Sequence, residues 1–297
     1  MIFLCYHGVT SSKSVGVENF SNKHITINEF YKQMLILKKN YSIIDIQTIH
    51  KHIKHGIPFK KNNVAISFDD GFENNFTNAA KILKKLKIPA IFYICPESIS
   101  NQEMFWVDKI EACINHSKIN TLILKINKKN FRYSIKTKNK KKVIIQKLKN
   151  ICKKSLVKNK DLIIQNLIQQ TKVYPETRLA NNYKIASWKK IRSISKNKLF
   201  SIGGHSLSHD IFTKMSKEII KHEISETIKI IKKKLGIKIK HFSYPEGKTN
   251  RDTINFLKKN NILTCPIAKG YKNNHLVNPY KIKRVMVGFS GTKFPLK

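Results

Sequence analysis

Two adjacent acids, Asp69 and Asp70, end a short apolar run in VAISFDDGF, residues 64–72. Such a run, closed by acids and a glycine, predicts a buried strand that delivers carboxylates to the loop at its C-terminal end. Two like charges a few ångströms apart beside an apolar strand are driven toward protonation by repulsion and desolvation, unless a cation lies near them. The plainer alternative is an Asp-Gly turn with both acids in water. A second pair, His205 and His209, follows an apolar run and two glycines, Gly203 and Gly204. A spacing of four puts both imidazoles on one side of a helical turn, within reach of one metal ion. The histidines alone are a modest signal in a chain that has 11 of them. Joined to a strand-end carboxylate they form a two-His, one-carboxylate set that leaves positions for water or substrate.

Strands must carry these groups, and the pattern supplies them. Residues 2–6 read as a first strand, and Thr26 followed by Glu29 is a capping box opening a helix. Residues 41–46 predict a strand, Asp45 caps a short helix over 46–53, and the Asp-Asp strand follows with a helix over 76–86. AIFYI, residues 90–94, is the next strand. The alternation resumes at Ser187 with a helix over 188–194, a strand over 199–202, and a long helix from Ser216 to Leu235 closed by Gly236. Strands over 239–242, 262–265 and 282–287 and a helix over 253–259 complete the order. Such alternation indicates an α/β fold with a largely parallel sheet, open or closed into a barrel. Residues 107–180 break the rhythm. They predict a helix over 106–114, a hairpin around the turn at 127–130 and two basic helices over 143–152 and 162–169, which together read as an insertion.

The 297 residues, 41% of them hydrophobic, suffice for one full core, so residues 1–297 are expected as a single domain. No apolar stretch reaches the length of a membrane span, and MIFLCYHGV lacks the basic start and cleavage site of a secretory signal. A cytoplasmic location, peripheral to a membrane at most, is the expectation. Five cysteines without CxxC spacing read as reduced thiols. The formal charge of +40, from 58 basic against 18 acidic residues, suits acidic glycans or an anionic membrane surface. A compositional excess of lysine explains it equally well, and no nucleic-acid motif accompanies it, so no specific nucleic-acid partner is expected.

SFDDG (residues 67–71), HSLSH (205–209) and YPEG (244–247), with YHGV from Tyr6, resemble the leading motifs of the polysaccharide deacetylase family. This is the NodB-homology or carbohydrate esterase family 4 domain, and the likeness is to a YPxG-type branch with an N-terminal Tyr-His pair. The resemblance covers nearly the whole chain apart from the insertion. It implies a distorted (β/α) barrel of about seven strands and removal of an acetyl group, N-acetyl foremost, from a sugar of a polysaccharide or glycan precursor. Carried over position by position, Asp70, His205 and His209 hold a divalent metal, Zn2+ foremost among first-row ions, and Asp69 is the general base. The Glu246 backbone N–H, after Pro245, is placed to donate to the oxyanion.

Three departures from the family pattern follow. Ser243 stands near the position of an arginine that orients the base, which leaves Arg284 in KIKRV as the candidate partner of Asp69. Glu246 replaces an aromatic residue. The late leucine-histidine motif has no match after Arg284, so His7 is the candidate general acid. Tyr244, Trp106 and Trp188 are candidates for the sugar-binding face. Two rivals remain at this stage: a non-haem iron oxygenase, which uses the same ligand types, and a degenerate member that binds glycan or nucleic acid through its basic surface.

Overall fold

A computed structural model describes the chain except residues 12, 127, 128, 177–179, 269, 290, 291 and 297, and the side chain at 126. It opens with β1 (Ile2–Tyr6), β2 (Gly8–Thr10), β3 (His24–Thr26), α1 (Ile27–Asn40), β4 (Ser42–Ile43) and α2 (Ile46–Lys54). The motif strand β5 (Asn63–Phe68) leads through a π turn over Asn75–Ala79 into α3 (Ala80–Leu86), then β6 (Ala90–Ile94) and α4 (Pro96–Asn101). Next come α5 (Trp106–His116), the hairpin strands β7 (Thr121–Ile126) and β8 (Lys129–Ser134), α6 (Lys138–Lys154) and α7 (Val157–Thr171). The remainder is α8 (Trp188–Ser195), β9 (Phe200–Gly204), α9 (Lys217–Leu235), α10 (Arg251–Lys259), β10 (Pro266–Ile267), β11 (Ile282–Lys283) and β12 (Val285–Met286).

Local chemistry sets the helix ends. The Thr26 hydroxyl accepts from the Glu29 N–H, Asp45 from Thr48, and Ser216 from Ile219, while Gly236 closes α9 in the left-handed conformation at φ +76°. Every residue of β5 is buried, as a parallel strand covered on both faces requires.

The sheet closes on itself. β1 lies parallel between β12 and β5, β5 pairs with β6, and β6 with β9; β4 adds a short pairing at the start of β5. From β9 the circuit continues through parallel bridges from Gly204 to Phe242 and from His241 to Thr264. It then passes to β10, which pairs with β11, and across Arg284 to β12 and back to β1. The result is a distorted (β/α) barrel in which the last strand positions are very short.

Besides the expected strand over 41–46, which shortens to Ser42–Ile43, three expected strands differ from the observed ones. Residues 239–242 and 262–265 make single bridges, and 282–287 is split at Arg284, whose side chain turns into the barrel and is fully buried. Close approach explains the first two. A methyl group on Gly203 would lie 2.5 Å from the Tyr93 ring and 2.8 Å from the His241 carbonyl oxygen, and one on Gly204 2.7 Å from the Phe242 ring. The chain touches its neighbour here and then bends away. Gly203→Ala should therefore cost about 1–3 kcal/mol, read as a lower urea midpoint with an unchanged slope.

The hairpin and two helices expected within residues 107–180 are present, with helices longer than the periodicity suggested; positions 127 and 128 of the expected turn lie outside the described residues. α5 packs on α6 and α7, and α7 on β7. Among the described residues, no helix is long and apolar enough to cross a membrane.

Candidate active site

At the end of β5 the Asp69 N–H donates to the Tyr6 carbonyl of β1 (3.0 Å), and the Gly71 N–H donates back to the Asp69 carbonyl (3.0 Å). The turn thus closed puts Asp70 at φ +76° and Gly71 at φ +90°, left-handed conformations that are costly for a non-glycine residue. Its effect is to send two neighbouring carboxylates to different partners.

Asp69 meets Arg284. The guanidinium donates to both oxygens, at 2.7 and 2.6 Å, and also to the hydroxyls of Ser67 (3.1 Å) and Ser243 (2.8 Å). The Ser243 hydroxyl in turn donates to Asp69 at 3.3 Å. Burial by itself would raise the Asp69 pKa, but Arg284 and His205 overcome it and hold the carboxyl at about 2. The partner of Asp69 that the sequence left open is therefore supplied from the far end of the barrel circuit, with Ser243 between them.

Asp70 meets the histidines. Its Oδ1 lies 3.4 Å from His205 Nε2 and 3.2 Å from His209 Nε2. The three ligand atoms fall within 4.8 Å of one another. His205 Nδ1 faces the Ser243 carbonyl at 2.9 Å, and since a carbonyl can only accept, Nδ1 carries the proton and Nε2 presents a lone pair. Among the described residues, Asp70 Oδ1 is buried with no directed hydrogen bond. A buried carboxylate oxygen facing two imidazole nitrogens is the donor set of a divalent cation, and the residues fit one. A second trio, Cys5, His7 and Asp69, is as compact. Asp69 is already committed to Arg284, however, and burial raises the Cys5 pKa and keeps the sulfur a thiol.

The histidines do not share a helical turn, contrary to the expectation from their spacing. HSLSH is an irregular loop with Ser206 and His209 at φ +64° and +65°. Ser206 accepts from the His209 N–H (2.9 Å), while buried Glu223 of α9 accepts from the N–H groups of Leu207 and Ser208 and from the Ser208 hydroxyl. These bonds fold the loop so that both rings reach Asp70.

Sequence reasoning missed Lys23 and Asp108. Lys23 Nζ is buried 3.3 Å from Asp70 Oδ2 and donates to both oxygens of Asp108 on α5 (3.1 and 3.2 Å). Burial would lower the Lys23 pKa, but Asp108 and Asp70 raise it instead. Lys23 thus occupies one oxygen of Asp70 and leaves the other to the histidines. An acid on an apolar helix face in WVDKI was the available signal for Asp108; one lysine among so many carried none.

These groups wall a cavity of about 270 Å³, which His7, Tyr244, Glu246 and Phe289 also line, together with Lys149 and Lys153 of α6. His7 stacks edge-on against Phe289 at 5.1 Å, its Nδ1 has no partner among the described residues, and burial pushes its pKa down to about 4. Tyr244 is buried and donates its hydroxyl to the Tyr280 carbonyl. Neither tryptophan lines the cavity. Trp106 is buried behind it with its indole N–H toward the His209 carbonyl (3.4 Å), and Trp188 donates to Ser100 (3.1 Å). The large rings were drawn to packing positions rather than to the sugar face.

The polysaccharide deacetylase model matches residues 56–264, which carry the Asp-Asp, His-x-x-x-His and Tyr-Pro motifs. The chain belongs to the polysaccharide deacetylase family. No curated protein sequence matches it. Among solved structures, this family member is similar to the Streptococcus pyogenes deacetylase PplD (TM-score 0.63, 12% identity, 98% of this chain and 93% of that one). It is also similar to IcaB from Ammonifex degensii (0.62, 16%, 96% and 91%). A de-N-acetylase from Aggregatibacter actinomycetemcomitans gives 0.59 at 14% identity, over 97% and 95%. At these identities the likeness establishes the fold, and the family assignment makes the chain a carbohydrate deacetylase.

Proposed function

We propose that this family member is a divalent-metal-dependent hydrolase, with zinc the foremost ion, that removes an N-acetyl group from a sugar of a polysaccharide or glycan precursor. The carrying observation is the convergence of Asp70, His205 and His209 on one point beside an Asp69 held by Arg284. A divalent cation bound by the three ligands supplies Lewis acidity to the acetyl carbonyl and lowers the pKa of water.

The chain supplies the rest. Asp69 is the base; Arg284 fixes its orientation and keeps it ionised, at some loss of basicity. The Glu246 backbone N–H donates to the oxyanion. His7 is neutral in the resting site, so it serves the leaving amine as a relay, passing on the proton that Asp69 takes from the attacking water rather than storing one of its own. The five cysteines are buried free thiols, which supports a reducing, cytoplasmic setting.

The test is acetate release from N-acetylhexosamine polymers and precursors before chelation, after chelation and after metal is restored. Activity should vanish with the metal and return with it. If metal-loaded protein released acetate from none of these substrates, while Asp69→Asn changed nothing measurable, the proposal would fail. Oxygen consumption coupled to product would point instead to an oxygenase.

A further inference from the structure

Four cations line the cavity among the described residues, and each is already paired. Lys23 is held by Asp70 and Asp108, Lys149 by Glu111 (2.8 Å), Lys153 by Glu246 (2.8 Å), and Arg284 by Asp69. Each cation of the wall thus has a carboxylate partner, and two of these partners, Asp108 and Glu111, stand behind the lining. The pairs differ in access. Both side chains of the Arg284–Asp69 and Lys23–Asp70 pairs are at most 8% exposed, whereas Lys153 and Glu246 keep 29% and 24%. Lys149 is 11% exposed and its partner Glu111 only 2%. Of the pairs whose two members both line the cavity, Lys153–Glu246 is thus the most open to a ligand.

That pair is firmly mounted. Glu246 sits at φ +55° in the Tyr-Pro turn and is followed by Gly247 at φ +62°, where a methyl group would lie 2.3 Å from the Ala268 nitrogen. Lys153 is in the last turn of α6. Resting on the deacetylase reading, we infer that the Lys153–Glu246 pair is the specificity element of this site. It reads the hydroxyl edge of an uncharged acetamido sugar, in preference to an anionic glycan. An ammonium and a carboxylate side by side offer a donor and an acceptor, which neighbouring ring hydroxyls match with an acceptor and a donor. The apolar sugar face is left to Phe289, an aromatic of the wall that is 44% exposed. Glu246 thus replaces stacking at its position with polar recognition.

The test compares a neutral N-acetylglucosamine oligomer with a sugar-free aryl acetate, using metal-loaded wild type, Lys153→Met and Glu246→Gln. Losing one charge-assisted hydrogen bond should raise KM for the oligomer about tenfold. The ratio of kcat/KM for oligomer to that for aryl acetate should fall by the same factor. A ratio that stays at the wild-type value in both variants overturns the role of the pair. A uronate-bearing acetylated oligomer preferred at low salt, with a preference that collapses as salt is added, overturns the uncharged substrate. Wild type that hydrolyses neither substrate defeats the deacetylase reading alone. Calorimetric binding of the oligomer then decides the pair: about tenfold weaker binding in the variants supports it, and equal binding overturns it.

Discussion

Asp69→Asn is expected to lower kcat by about 10²–10⁴-fold, the range contributed by a positioned general base, while metal content stays at the wild-type level. Asn preserves shape and cannot accept the proton. The expectation of retained metal follows from geometry: Asp70, His205 and His209 form the converging donor set, whereas both oxygens of Asp69 are taken by Arg284. Metal analysis and steady-state kinetics on the same preparation give the answer. Stoichiometric loss of metal in this variant would exchange the roles of the two acids.

Arg284→Met should destabilise the protein by about 3–5 kcal/mol, since removing one partner of a buried ion pair leaves the other uncompensated. Asp69 is about 4% exposed at its side chain and, among the described residues, has no second full charge on its oxygens at hydrogen-bonding distance. The pH dependence carries a signature. In the wild type the Asp69 pKa is depressed from an unfolded value near 3.9 to about 2. The pair's contribution is therefore complete above the unfolded value and is lost as pH falls through the window down to about 2. Without Arg284, burial dominates and raises the Asp69 pKa, so the sign reverses: acidification should then favour the folded state through this group. Urea titrations across that window distinguish the two, and Asp69→Asn in the Arg284→Met background should recover much of the stability.

The sequence carried the strand that bears the acids and several helix boundaries, because those are local: a capping box at Thr26, Asp45 before α2, and Ser216 and Gly236 around α9 each act within a few residues. It carried the ligands as residue types, but His205 and His209 meet Asp70 through a loop with two left-handed residues, and a spacing of four does not distinguish that from a helical turn. The seam from Phe242 to β12 was poorly legible, since one- and two-residue pairings are too short to show a period. Arg284 was a candidate only through the family pattern, because Ser243 stands near the orienting arginine's place, and the structure gives it Asp69. Lys23 gave no contrast at all, and its contacts with Asp70 and Asp108 are set by tertiary packing alone.

The position of Arg284 in the barrel circuit also sets an order of events during synthesis. Asp70 leaves the ribosome early, the histidines later, and Arg284 after both; β12, which follows it, closes the circuit against β1. A growing chain can present all three proposed ligand side chains while the proposed base, Asp69, still lacks its countercharge. On the proposed reading, docking of the last strand position would complete the site, tying hydrolytic competence to closure of the barrel.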